Sequence, residues 1–229
     1  MTKVIIRQPG YLPYLGYFKK IQTCDVFVHL DDVQYSSGGG DNKNKIRTFQ
    51  GTKILSVPIS KPHAMKFNEI QIANNIDWKE KHKNSIKENY KVAPFFDQYW
   101  NSIENILSRD WKKLIDLNLE FIEYFCSVLD LTTKTVRSSE LNITLTGSTR
   151  LLEICQKLGA TSYISGEMGR DYLETKLFQD AGIEVLFEKF EHPVYRQIHG
   201  EFIPYLSIID VLFNEGGNTK TILANSKNL

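Results

Sequence analysis

Three stretches of the chain carry polar residues where a parallel sheet would present them to a ligand. Gln8 and Tyr11 follow the apolar run Val4 to Ile6. Asp31, Asp32 and Gln34 follow "DVFVHL", and Ser165, Gly166, Asp171 and Tyr172 follow "TSYIS". Ligands of open parallel sheets settle at the carboxyl ends of the strands, so polar groups converging from three segments predict a binding site there. Asp31 and Asp32 are adjacent, and on a strand their side chains would point to opposite faces. One of them is then expected to face the site as general base or acceptor while the other caps a turn. His29 lies inside the second strand, where an imidazole is more often a core residue than a base.

A second polar group lies in "GGGDNKNKIRT". Asn42, Lys43, Asn44, Lys45 and Arg47 put two amides and three cations on a Gly-rich stretch beside strand two. Such a loop can wrap a phosphate, a carboxylate or a sugar, with the glycines as hinges of a lid; a solvated surface loop is the plainer alternative. No Ser-His-Asp, Cys-His, H-E-x-x-H or Walker pattern is present. "GEMGRD" lacks the dinucleotide fingerprint, which disfavours NAD. The three cysteines, Cys24, Cys126 and Cys155, are far apart and have no His at metal spacing, so they read as buried reduced thiols and no metal site is expected.

The elements that must position these groups follow from periodicity. Val4 to Ile6 predicts a strand, Tyr14 to Thr23 a helix through Leu15, Phe18 and Ile21, and "DVFVHLDDV" a second strand parallel to the first. "SSGGGDNKNK" reads as a mobile loop, and "TKILSVPIS" as a third strand stopped by Pro58 and Pro62. From about 77 to 130 apolar residues recur three and four apart, with Leu114, Leu117, Phe121, Tyr124, Phe125 and Leu129 on one face, so this region is read as helical core. The remainder alternates again: a helix at Arg150 to Leu158, "TSYIS", a helix to Ala181, "IEVLFEKF" and a helix near "LSIIDVLFNEGG". The expectation is one α/β domain over 1–229, a parallel Rossmann-like sheet with a mostly helical insertion at about 77–130.

The chain has 229 residues, 41% apolar and 24% charged, with a formal net charge of +1. That balance supports a real core and gives no bulk attraction for nucleic acid or anionic membrane. No segment approaches roughly 18 uninterrupted apolar residues and no signal stretch opens the chain, so a cytoplasmic location without a membrane span is expected.

"YLGY", Tyr14 to Tyr17, stands where nucleotidylyltransferases and pantothenate synthetases carry His-x-Gly-His at the start of a helix. The frame is similar, but tyrosines replace both histidines. A phenol donates a hydrogen bond to phosphate and carries no imidazolium charge, so the analogy supports a nucleotide-binding-like fold more than nucleotidyl transfer.

Taken together, "QPGYLPYLGYFKKI", "DVFVHLDDVQYSSGGGDNKNKI", "LSVPIS", "YISGEMGRDYL" and "VYRQIHGEFIPYLSIIDVLFNEGG" resemble, in order and over nearly the whole chain, the blocks of the WbqC-like proteins. The loop departs from that pattern: the family tends to have an aromatic before the Asn and an Arg where this chain has Lys43, which contacts phosphate without a bidentate fork. The resemblance implies a place among bacterial O-antigen and surface-polysaccharide proteins, and a transferase that puts a glycyl group on the amine of a nucleotide-linked amino sugar. It implies Asp31 or His29 as base, Asn42 and Asn44 as polar contacts, and Lys45 and Arg47 as phosphate contacts. Gln8 and Tyr11 would line the pocket, with Tyr195, Gln197, Ser207 and Asp210 either adding to it or closing a helical cap. The expected ligand is a nucleotide, either ATP or a nucleotide-sugar. An adenylate-forming enzyme and a non-catalytic nucleotide-sugar-binding module stay open as alternatives. No nucleic-acid partner is expected apart from an aminoacyl-tRNA donor.

Overall fold

The computed structural model describes residues 1–36, 40–60 and 65–227. Five parallel strands form one sheet: β1 (Lys3–Arg7), β2 (Val26–His29), β5 (Lys134–Arg137), β6 (Ser162–Gly166) and β7 (Glu184–Glu188), in the order β5-β2-β1-β6-β7. Alternating side chains divide the apolar residues between its two faces. Ile5 and Phe27 face a cluster with Leu15, Phe18, Phe121, Phe125 and Phe213. Val4, Val26 and Val28 face a second cluster with Ile154, Cys155, Tyr163 and Phe178. Helix α1 (Leu15–Thr23) covers the first face, and α5 (Gly147–Lys157) and α6 (Thr175–Asp180) cover the second. The fold is α/β with a parallel, Rossmann-like sheet.

Between β2 and β5 the chain forms an antiparallel hairpin, β3 (Lys43–Thr48) and β4 (Gly51–Ser56), then helices α2 (Trp78–Tyr90), α3 (Phe96–Ser108) and α4 (Leu114–Val128). The stretch expected to be a mobile loop, 36–45, passes into strand β3 from Lys43 onward, and the expected third strand, as β4, pairs with β3. Ile46 and Leu55, buried under the hairpin, supply the apolar side that the polar run "KNKIRT" conceals. The hinge glycines Gly38 and Gly39 and the strand stop Pro62 lie outside the described residues. Strand β5, "KTVR", has a single aliphatic residue and was not anticipated. The chain closes with α7 (Ile208–Glu215) and α8 (Thr219–Asn225).

One register detail positions the site. Arg7 pairs with His29, and His29 with Arg137. Ile5 pairs with Ile164 and Gly166 with Glu188, so two residues beyond Ile5, Arg7 stands level with Gly166. The last layer of the sheet thus reads Arg137, His29, Arg7, Gly166, Glu188. The layer two residues earlier reads Thr135, Phe27, Ile5, Ile164, Leu186.

Candidate functional site

The strand order reverses between β1 and β6, because β1 leads to β2 on one side while β6 and β7 lie on the other. Helix α1 packs on one face and α5 on the other, so their connections part above this point and leave a crevice. Two recesses of about 450 and 510 Å³ open there and share Ile6, Arg7, Tyr163 and Tyr172. The first also takes in Tyr14, Lys20, Ser165, Gly166, Glu188, Phe190 and Tyr205. The second takes in Gln8, Gln34, Ser148, Arg150 and Glu174.

Arg7 is the central charge of this crevice. Its side chain is exposed at the end of β1 and has no hydrogen bond or ion pair among the described residues. Lys20, one face of α1 away, is ion-paired with Glu188 from the end of β7. Burial, and then the Arg7 guanidinium, push the Lys20 ammonium down to about 8. An aromatic wall stands beside these charges: the Tyr14 ring packs edge-on against Phe190 and against Tyr205, each at 5.9 Å. Gly16 makes this wall possible, because a Cβ there would stand 2.7 Å from the Phe190 ring and clash with the ring of Tyr14 itself. In "YLGY", then, Tyr14 turns to the crevice while Tyr17 turns to the core, its hydroxyl 3.4 Å from His29 Nδ1. Tyr205 holds φ at +58°, a left-handed conformation that costs a non-glycine residue energy.

Of the residues singled out from the sequence, the structure brings Gln8, Gln34, Ser165, Gly166 and Tyr172 together in this crevice. The others go elsewhere. Tyr11 is buried, its hydroxyl 2.9 Å from His82 Nδ1. Asp31 is fully buried and accepts from Arg137 Nε, from Ser138 Oγ, and from the backbone N–H and hydroxyl of Ser139. Burial alone would raise its pKa, but these donors outweigh burial and hold the carboxyl below its usual range. With its lone pairs so occupied, Asp31 is built as a structural anion and not as a base. Asp32 pairs with Arg150, and Ser138 Oγ bonds both aspartates. Their expected divergence fails because β2 ends at His29, before either of them.

Arg47 and the two amides of the basic loop are engaged within the fold. Arg47 is buried; its Nε and Nη2 donate to His199 O, Nη2 also to Glu201 O, and Nη1 to Thr48 O and Gly51 O. No donor is left for a phosphate. Asn42 donates to Val57 O and accepts from Tyr35, while Asn44 donates to Leu12 O at 2.6 Å. Lys45 and Asp171 are exposed and do not line the crevice. Tyr195 and Gln197 both donate to Asp210 Oδ2, and Tyr90 to Oδ1. This buried carboxylate clasps the segment before α7, which is the closing role and not the pocket role. His29 lines a different groove, between α4 and β5.

Arg7, Lys20, Glu188 and Tyr205 also line the crevice and are not among the residues expected there from the sequence. Arg7 carried a signal: it is the charged last residue of a buried strand, two places after Ile5 and so on the same face. Lys20 and Glu188 sit at helix and strand positions that only the folded sheet brings together.

The family model described as the WbqC-like protein family matches residues 8–222. The chain belongs to the WbqC-like protein family. It is 32% identical over 227 residues, covering 97% of this chain and 98% of the relative, to a Mycobacterium tuberculosis (strain ATCC 25618 / H37Rv) protein named "Uncharacterized protein Rv1507c". No solved structure matches the chain. Among the described residues of this WbqC-like protein, no helix is long and apolar enough to cross a membrane. Nor does any group of three or more His, Cys, Asp and Glu among them stand where it could hold a metal ion.

Proposed function

We propose that this WbqC-like protein is a transferase of bacterial surface-polysaccharide biosynthesis, which moves a glycyl or similar acyl group onto the amine of a nucleotide-linked amino sugar. The observation that carries the reading is the unpartnered Arg7 guanidinium at the point where the strand order reverses, a place suited to phosphate. Arg7 binds the diphosphate, and the Tyr14, Phe190 and Tyr205 wall offers faces for stacking a base or sugar ring. Gln8, Gln34 and Ser165 supply hydrogen bonds to hydroxyls.

In the transfer, the amine lone pair attacks the acyl carbonyl carbon, an N–C bond forms, and the bond to the donor's leaving group breaks. The proton released from nitrogen goes to the Glu188 carboxylate, and the Lys20 ammonium beside it offsets the oxyanion charge. The test combines a UDP-linked amino sugar with glycyl thioester or glycyl-tRNA and reads the sugar nucleotide by mass spectrometry. The expected product is heavier by one glycyl residue. Glu188→Gln is expected to lower turnover about 100-fold while the sugar nucleotide still binds. Binding without any product from the wild-type protein would reduce the reading to a nucleotide-sugar-binding module.

A further inference from the structure

A further recess, of about 500 Å³, lies between α4 and β5 and shares no lining residue with the crevice. It exists because β5 is an edge strand whose α4 side is left uncovered. Thr135 and Arg137 project from it, level with Phe27 and His29 of β2. His29 is only 5% exposed, yet it lines this groove. Its Nδ1 faces the Tyr17 hydroxyl, while its Nε2 has no partner among the described residues. The ring is otherwise packed away, so the hydrogen-bonding capacity it offers to this groove is that of Nε2. Burial pushes it down to about 4, so it is a neutral hydrogen-bonding group. Arg137 gives only its Nε to Asp31, and its two Nη groups have no partner among the described residues. One carboxylate, Glu123, stands across the groove on α4, and a second, Glu140, follows β5 beside Arg137. Glu123, on the exposed side of α4, makes no hydrogen bond or ion pair among the described residues; Glu140 touches only the Arg137 backbone N–H, at 3.4 Å.

Arg137 and His29 on the sheet wall and, on the α4 wall, the Glu123 carboxylate, unpaired among the described residues, fit a molecule that carries both charges. We infer that this groove is a second ligand site, taking a small zwitterion whose carboxylate or phosphate meets Arg137 and His29 and whose ammonium meets Glu123. An α-amino acid and an amino-sugar phosphate share this chemistry.

The test titrates the intact chain with L-alanine and with glucosamine 6-phosphate, alongside acetate and methylammonium, which carry one charge each. Calorimetry reads affinity, and histidine side-chain NMR reads the His29 imidazole. At least one zwitterion is expected to bind and to move the His29 Nε2 resonance, and which of the two binds identifies the source. Glu123→Gln, a change at an exposed and unpartnered position, is expected to leave the fold intact and weaken binding about tenfold or more. Arg7→Ala is expected to leave this titration unchanged. The inference is overturned if neither zwitterion binds, if acetate or methylammonium binds as well, or if Glu123→Gln makes no difference. Loss of the signal in Arg7→Ala would place the zwitterion in the crevice and also overturn it.

Discussion

Arg7 and His29 are register partners on β1 and β2, yet they serve two different cavities. Neighbouring parallel strands lie about 4.8 Å apart and register partners share a face, so one layer of the sheet supplies both. What separates them is the packing above. The Tyr17 phenol closes over His29, and the buried, neutral imidazole opens sideways under α4. Arg7 stays at the crevice with its charge exposed.

Arg47 should prove essential for stability. Its guanidinium ties the β3–β4 turn to the backbone at His199 and Glu201. Arg47→Met would strip those half-buried carbonyls of their donors, and the expected loss is about 2–3 kcal/mol in urea unfolding. Gly200→Ala should destabilise through the same clasp: the residue has φ +51°, and a Cβ would stand 2.7 Å from Arg47 Nη2. A loss below about 1 kcal/mol for Arg47→Met would show that the clasp is dispensable.

Asp41 should make stability fall on the alkaline side of its titration. It is buried, its Oδ2 has no hydrogen-bond partner among the described residues, and burial, opposed by Arg7, raises its pKa to about 6. A carboxyl raised above its unfolded value of about 4 favours the protonated folded state. Its contribution is therefore complete below about pH 4 and is lost as the pH rises through 6. Asp41→Asn, neutral at every pH, should gain about 2 kcal/mol over the wild type at pH 8, with the gap narrowing below pH 5. Denaturation at both pH values checks this, and a gap independent of pH would contradict it.

Tyr205 should trade stability for binding. Its φ of +58° is strained for tyrosine, and its half-exposed ring contributes to the crevice wall. Asn tolerates the left-handed region, so Tyr205→Asn should leave the melting temperature unchanged or higher. Affinity for a nucleotide-sugar should drop about 5–20-fold with the stacking surface lost. A lower melting temperature with full affinity would reverse the assignment.

Strands β1 and β2 were legible because each is a short buried apolar run, β6 because Tyr163 and Ile164 are followed by a Gly-rich stretch, and the helical stretch because its aromatic stripe repeats at helical spacing. Strand β5 was not: an edge strand uncovered on one side needs only Val136 as an aliphatic residue, and Thr135 and Arg137 face the groove. The hairpin was hidden for a related reason, with Ile46 the one aliphatic residue of β3. At the site, Gln8, Gln34, Ser165, Gly166 and Tyr172 could be found from strand ends alone. The fates of Asp31 and Arg47 could not, since Asp31 is claimed by Arg137, Ser138 and Ser139, and Arg47 by carbonyls near His199, all distant in sequence. A charged side chain shows its chemistry in the sequence but not who has already taken its hydrogen bonds.

The most direct measurement is calorimetric titration of a UDP-linked amino sugar into the wild type, Arg7→Ala and Lys45→Ala. Arg7 has no partner to lose among the described residues and Lys45 does not line the crevice, so both variants should fold. The account predicts that Arg7→Ala weakens binding about 10–100-fold, as expected for a lost charge-assisted phosphate contact, while Lys45→Ala binds like the wild type. Unchanged affinity in Arg7→Ala, or a loss confined to Lys45→Ala, would contradict a phosphate site at the strand-order reversal.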